Sequence, residues 1–159
     1  MREVQNVSSG QKRKEPSLSI LYLEDNLADA RLLMEAFKES SLQPRIEVVE
    51  DGERALAVLR RQDQGLAMLR PDLFLLDLRL PRKGGLAVLM EVRADPILRD
   101  LPAMVFTSSL AKEEQQKAAA LGVERFLHKP VNLEAFFLVA QEIAEWWREK
   151  NEEPNITFY

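Results

Sequence analysis

The chain has 159 residues, of which 46% are hydrophobic and 30% are charged, and its formal net charge is −4. This length and composition suit one folded domain with its own core, and the acidity disfavours general nucleic-acid binding. With no cysteine and a single histidine, a disulfide scaffold, a cysteine-ligated zinc site and a cysteine nucleophile are excluded, and a histidine-based zinc site or a Ser–His enzyme is disfavoured.

The two ends of the chain differ from the middle. Residues 1–16 are polar and carry no apolar signal core, which favours a flexible leader, or an arm that docks on a partner, over a secretion signal. No apolar run has the length of a membrane helix. We therefore expect a soluble, cytoplasmic domain over residues 17–150 with a short tail at 151–159.

Short apolar runs alternate with helical patterns along the domain. In chain order, the predicted elements are a strand at 18–23, a helix at 27–40, a strand at 45–50, a helix at 53–61, a strand at 73–77, a helix at 86–94, a strand at 102–107, a helix at 112–121, a strand at 123–127 and a helix at 133–150. The stretch 62–70 is weaker and reads as loop or frayed helix. Such alternation predicts an α/β fold, a doubly wound parallel sheet of five strands with five helices.

Polar residues end several of these predicted strands. They are Glu24, Asp25, Asp77, Thr107 and Lys129. In an open parallel sheet, ligands bind at the carboxyl ends of the strands, so these side chains are expected to gather there. Considered separately, each residue also has an ordinary explanation. Asp25 could cap the following helix, Thr107 could be a hydroxyl that happens to end a strand, and Lys129 could be a solvent-exposed loop lysine.

Taken together, the same residues indicate a phosphoryl site. Clustered carboxylates repel one another unless a cation neutralises them, and an all-oxygen set suits Mg²⁺. A lysine and a hydroxyl beside that ion would bind phosphoryl oxygens. Asp77 follows four apolar residues of the most buried strand, so it is the natural nucleophile for an aspartyl phosphate.

The chain closely resembles the receiver domain of two-component response regulators. The matching motifs, in order, are Glu24-Asp25, Asp77 within 75–81, Gly85, Thr107 and Lys129-Pro130. The resemblance covers nearly the whole chain. It implies a flavodoxin-like sheet in the order 2-1-3-4-5 and transfer of a phosphoryl group from a sensor histidine kinase to the domain.

The resemblance also implies a role for individual residues. It implies that Asp77 is the phosphoacceptor and that Mg²⁺ is bound by Glu24, Asp25, Asp77 and the Arg79 carbonyl. It further implies that Thr107 is the switch hydroxyl, that Lys129 is its lysine partner and that Phe126 is the switch aromatic. Three positions depart from the family's pattern. The acidic pair is Glu-Asp, Arg79 places a cation two residues after the phosphoacceptor, and Gly84 replaces an acid often found there.

A finer resemblance concerns the partner. Residues 24–31, the long connection before Pro71 and the tryptophan-rich last helix look like single-domain regulators paired with bacterial phytochromes. The resemblance thus implies a sensor histidine kinase of the bacteriophytochrome class as the phosphodonor. The nine residues after 150 are too few for a DNA-binding output module.

The last predicted helix has a wide apolar arc. We expect its flank with Val139, Ile143 and Trp146 to pack on a partner, although the whole arc would also fit the core. The family often dimerises through its fourth helix, fifth strand and fifth helix, so a homodimer is the favoured partner. No membrane or nucleic-acid partner is expected.

Two other functions compete with the signalling switch, which is not an enzyme in the ordinary sense. A pseudo-receiver that only docks proteins would need a lost site residue, and none is lost. A haloacid-dehalogenase-type phosphatase would need an acid two residues after its nucleophile, where this chain has Arg79. A P-loop nucleotide site is excluded, because its glycine-rich run is absent.

Overall fold

The computed structural model describes residues 17–61 and 70–152. The predicted leader, nearly all of the weak stretch and most of the predicted tail lie outside these residues. The elements, in chain order, are β1 (Ser19–Leu23), α1 (Leu27–Lys38), β2 (Arg45–Val49), α2 (Gly52–Arg60), β3 (Leu73–Leu76), α3 (Gly85–Ala94), β4 (Ala103–Thr107), α4 (Lys112–Ala120), β5 (Arg125–His128) and α5 (Leu133–Asn151).

The five strands form one parallel sheet in the order β2-β1-β3-β4-β5, as predicted. Leu23, the last residue of β1, pairs with Val49 of β2 and with Leu76 of β3. The three strands therefore end level with one another. The residues that follow β1 and β3 emerge side by side at one edge of the sheet.

Two apolar clusters cover the two faces of the sheet. Alternate residues of β3 divide between them, since Leu73 and Leu75 join one cluster whereas Phe74 and Leu76 join the other. Helices α1 and α5 pack on the first face, and α2, α3 and α4 contribute to the second. Because side chains alternate along a strand, the apolar run of β3 buries residues on both faces, as expected for a central parallel strand.

Side-chain caps begin the helices that flank the site. Asn26 accepts the backbone N–H groups of Ala28 and Asp29 at the start of α1. Asn132 accepts the N–H of Ala135 at the start of α5. Such caps satisfy backbone donors that have no partner within the helix, and they fix where each helix starts. The loops between the strand ends and these helices are therefore short and well defined.

The prediction of an exposed partner flank on α5 is wrong for two of its three residues. Ile143 is fully buried and Trp146 is 5% exposed, both in the cluster under α1 and α5. The indole N–H of Trp146 donates to Glu124 Oε1 at 2.9 Å, just before β5. Val139 is partly buried against the same cluster. The wide apolar arc belongs mainly to the core, because α5 packs on α1 as well as on the sheet.

Among the large apolar residues of α5, Leu133 at its first position is 47% exposed and Leu138 in its second turn is 66% exposed. Within the described ranges, no helix is both long enough and apolar enough to cross a membrane.

Candidate functional site

Lys129 and three carboxylates meet at the carboxyl edge of the sheet. The ammonium of Lys129 lies 2.7 Å from Asp77 Oδ2, 2.7 Å from Glu24 Oε1 and 2.9 Å from Asp29 Oδ2. Its side chain is 9% exposed. Burial alone would lower the pKa of Lys129, but hydrogen bonds to Asp77, Glu24 and Asp29 outweigh that effect and raise it. The lysine is therefore held as a cation at the centre of the site.

Glu24 is a fully buried carboxylate. Its Oε1 accepts the Tyr22 hydroxyl at 3.1 Å in addition to the Lys129 ammonium, and its Oε2 accepts the N–H of Asn26 at 3.2 Å. Burial raises the pKa of Glu24 to about 7, although Lys129 opposes the increase. Burial also raises the pKa of Tyr22 above its usual range, so the phenol remains a neutral donor.

The acidic pocket offers oxygen ligands to a cation. One carboxylate oxygen each from Glu24, Asp25 and Asp77 lies within 4.8 Å of the others. Asp25 is exposed and borders a cavity of about 300 Å³ that Asp51 and Lys83 also line. An all-oxygen set with one open side fits a hard divalent cation, which keeps water or phosphate oxygens in its remaining positions.

Asp77 is held by contacts on both of its carboxylate oxygens. Oδ1 accepts the backbone N–H of Arg79 at 3.1 Å, and Oδ2 accepts the Lys129 ammonium. Its own N–H donates to the carbonyl of Leu23 at 3.0 Å, which ties it to the end of β1. The carbonyl of Arg79 as a metal ligand stays a prediction.

Gly85 lets α3 begin directly against the backbone of Asp77. A Cβ on Gly85 would lie 2.2 Å from the carbonyl oxygen of Asp77 and 2.9 Å from Cα of Leu78. Only glycine fits without displacing the backbone there. This close approach of the two backbones explains why the fold requires a glycine at position 85.

Thr107 and Lys129 are joined through the backbone at the ends of β4 and β5. The N–H of Lys129 donates to the carbonyl of Thr107 at 2.8 Å. The Thr107 side chain is fully buried, and its hydroxyl accepts the N–H of Ser109 at 3.2 Å. Movement of the Thr107 hydroxyl away from Ser109 would break this hydrogen bond to the β4–α4 loop.

A polar contact also joins the β3–α3 loop to the start of α4. The Arg79 guanidinium donates to Ser109 Oγ at 3.1 Å and lies 3.6 Å from Glu114 Oε1. The Ser109 hydroxyl donates in turn to Glu114. Arg79 is thus tied to the loop that follows Thr107, a connection that spacing along the chain does not reveal.

Phe126 is half-buried on β5, packed beside the cluster on the α2–α3 face. Its ring meets the exposed His128 ring edge to face, with centroids 5.5 Å apart. Phe126 as the switch aromatic stays a prediction.

Three contributors to the site went unrecognised in the sequence. Asp29 lies in the first turn of α1, where an acidic residue is favourable because it complements the helix dipole. The sequence pattern alone therefore does not reveal that Asp29 also forms an ion pair with Lys129. Ser109 belongs to the polar run 107–109 at the end of β4, and the run by itself assigns it no contact. Tyr22 lies inside the apolar run that predicts β1, so the pattern gives no sign of a role for its hydroxyl.

Comparison with known proteins supports the same interpretation. The family model described as the response regulator receiver domain matches residues 20–141. Response regulator Rcp1 of Synechocystis sp. is 37% identical over 134 residues, which cover 84% of this chain and 91% of that protein.

Two solved structures of similar proteins superpose well. The phosphorylated cyanobacterial phytochrome response regulator RcpA has a TM-score of 0.77 and 35% identity, covering 88% of this chain and 100% of that one. The Mn²⁺-bound form of Rcp1 has a TM-score of 0.74 and 36% identity, covering 86% of this chain and 99% of that one. Together with the sheet order and the acidic pocket, these matches show that the chain belongs to the response regulator receiver domain family.

Proposed function

We propose that this chain is a phosphorylation-controlled signalling switch in which Asp77 accepts a phosphoryl group from a sensor histidine kinase. The observation that carries the proposal is the contact of Lys129 with Asp77 Oδ2 at 2.7 Å, beside an acidic pocket formed with Glu24 and Asp25. A salt bridge that only stabilises the fold needs one lysine and one carboxylate. A phosphoryl site needs further carboxylates beside that pair, because it must also bind a divalent cation.

In the transfer step, a carboxylate oxygen of Asp77 attacks the phosphorus of a phosphohistidine. The new O–P bond forms as the N–P bond breaks, and the electron pair of that bond stays on the imidazole nitrogen of the donor. Mg²⁺ is the proposed cofactor, and when bound it neutralises charge on the carboxylates and the phosphoryl oxygens. Its proposed ligands are Glu24, Asp25, Asp77 and the Arg79 carbonyl.

The switch follows from charge at the same site. A phosphoryl group on Asp77 adds negative charge and acceptor oxygens beside the Lys129 ammonium. The Thr107 hydroxyl, drawn toward those oxygens, would leave its hydrogen bond with Ser109 and shift the β4–α4 loop. Space vacated beside β5 would allow Phe126 to turn inward, which changes the surface that a partner meets.

The proposed phosphodonor is a kinase of the bacterial phytochrome class. Support comes from RcpA, which is described as a phytochrome response regulator and superposes over 88% of this chain. Phosphotransfer from an autophosphorylated phytochrome kinase, compared with transfer from an unrelated histidine kinase, tests this assignment. Faster transfer from the phytochrome kinase is expected.

We further propose that a second copy of the chain docks on the face made of α4, β5 and α5. The exposed Leu138 of α5 supports this face as a contact surface, whereas Ile143 and Trp146 are not available to it. Light scattering of the wild type and of Leu138→Glu tests the proposal. The substitution is expected to shift the protein toward the monomer.

Intact mass after incubation with acetyl phosphate tests the function itself. With Mg²⁺, the wild type is expected to gain about 80 Da, one phosphoryl group. Neither Asp77→Asn nor the wild type in EDTA should gain it. A folded wild type that gains no mass would favour a docking module that works without phosphorylation.

A further inference from the structure

A tyrosine hydroxyl reaches the acidic pocket from inside the core. Tyr22 lies on β1, two residues before Glu24, and it is fully buried. Its hydroxyl donates to Glu24 Oε1 at 3.1 Å. A phenylalanine would fill the same apolar volume without burying a hydroxyl, so the hydroxyl is the feature that needs an explanation.

The ring of Tyr22 is held in place by its neighbours. It packs on Phe106 of β4 with ring centroids 6.4 Å apart, and Phe106 meets Phe136 of α5 edge to face at 5.8 Å. The backbone of Tyr22 is paired on both sides, with Val48 of β2 and Leu75 of β3. The position of the hydroxyl is therefore fixed by packing before any ligand arrives.

Glu24 needs such a fixed donor more than an aspartate would. Its side chain has one more rotatable bond, so holding the carboxylate in one orientation costs more conformational entropy. Tyr22 and Lys129 both donate to Oε1, and Oε2 accepts only the N–H of Asn26 among the described residues. Oε2 thus keeps capacity for a further partner, because a carboxylate oxygen has more than one acceptor position.

We propose that Tyr22 is a positioning residue for divalent-metal binding: its hydroxyl holds the Glu24 carboxylate in the orientation that completes the pocket with Asp25 and Asp77. The inference rests on the proposed function, since it assumes that this pocket binds the ion. Tyr22 acts through Glu24 and does not contact the ion. In other metal sites, groups that orient the ligands change metal affinity about 10- to 100-fold when they are removed.

Binding of Mn²⁺ to the full-length protein provides the test, with free Mn²⁺ followed by its EPR signal and Mg²⁺ as competitor. Tyr22→Phe removes the hydroxyl and keeps the ring. We expect it to weaken Mn²⁺ binding about tenfold. Thermal unfolding of the same variant in EDTA is expected to show that it folds cooperatively.

The double variant separates positioning from a general effect on the fold. In a Glu24→Gln background, Tyr22→Phe should change the Mn²⁺ dissociation constant little, since the group on which the hydroxyl acts is already altered. Equal weakening in both backgrounds would overturn the inference, and so would an unchanged dissociation constant in Tyr22→Phe alone. Absence of Mn²⁺ binding by the wild type would overturn the proposed metal site together with this role.

Discussion

Asp29 Oδ2 lies 2.9 Å from the ammonium of Lys129, across 100 positions of sequence. The contact joins the first turn of α1 to the end of β5, and it places a third carboxylate on the lysine that also contacts Glu24 and Asp77. On the proposed function, Asp29 would compete with a phosphoryl group on Asp77 for the same cation. Its negative charge would also repel an anionic phosphodonor that approaches Asp77.

Asp29→Asn should speed phosphorylation by acetyl phosphate at saturating Mg²⁺. Loss of one negative charge near the site is expected to raise the rate about two- to fivefold, on the order of 0.5–1 kcal/mol in activation free energy. Stopped-flow fluorescence or quenched-flow mass measurement gives the rate. Glu35→Gln is the matched control, because Glu35 lies on the same helix in an exposed pair with Lys38. A rate at or below that of the control would contradict the account.

Lys129→Met should destabilise the metal-free protein. It removes the cation that neutralises Glu24, Asp29 and Asp77, and leaving buried charges unpaired costs about 3 kcal/mol or more. Urea unfolding in EDTA measures the loss. Mg²⁺ should restore more stability to the variant than it adds to the wild type, since the ion replaces the missing charge.

The control for this prediction is Lys38→Met, which removes an exposed ion pair. Its free energy of unfolding should stay within about 0.5 kcal/mol of the wild type. Equal losses in the two variants would contradict the account, because the buried contacts of Lys129 would then contribute no more stability than an exposed ion pair.

Gly85→Ala should damage both stability and phosphorylation. The added Cβ would lie 2.2 Å from the Asp77 carbonyl oxygen, so either α3 or the end of β3 has to move, at a cost of about 1–3 kcal/mol. Gly84→Ala is a close control, because its Cβ would meet nothing nearer than 3.7 Å. Urea unfolding and the rate of phosphorylation by acetyl phosphate should separate the two variants. Similar behaviour of the neighbouring substitutions would contradict the steric argument.

The sequence predicted the fold well because each strand is a short apolar run with a polar end. The run over β3 stops at Asp77, and that boundary located the site as well as the strand. Side-chain contacts between elements that lie far apart in the sequence were harder to predict. Asp29 meets Lys129 only because α1 and β5 converge at one edge, and no local pattern encodes that distance.

The error on α5 has a comparable cause. A helical wheel shows which residues share a side, but it does not show how much of that side other elements cover. Trp146 and Ile143 lie under neighbouring parts of the fold, and the Trp146 indole finds a partner in Glu124. The wide apolar arc of α5 therefore reflects packing against both α1 and the sheet, and not a surface for a partner protein.

Stability should depend on pH through Glu24 when no metal is present. The pKa of Glu24 is raised by burial from 4.5 to about 7 in the folded protein, so the folded state binds more protons than the unfolded state between these values. Its contribution to stability therefore falls as pH rises from about 4.5 to about 7. Urea unfolding in EDTA across this range is the measurement.

Glu24→Gln provides the comparison for the pH dependence, because it keeps the shape of the side chain and removes the titration. The stability of the wild type relative to Glu24→Gln should decrease with increasing pH across this window. A difference that stays constant or increases would show that burial does not govern the ionisation of Glu24.

Direct location of the phosphoryl group tests the central claim. The wild type, treated with acetyl phosphate and Mg²⁺, would be reduced with borohydride, which converts an aspartyl phosphate to homoserine, and then digested and sequenced by mass spectrometry. The account predicts homoserine at position 77 alone, and none without Mg²⁺. Homoserine at Asp25, or an unmodified Asp77 in protein that has gained phosphate, would contradict it.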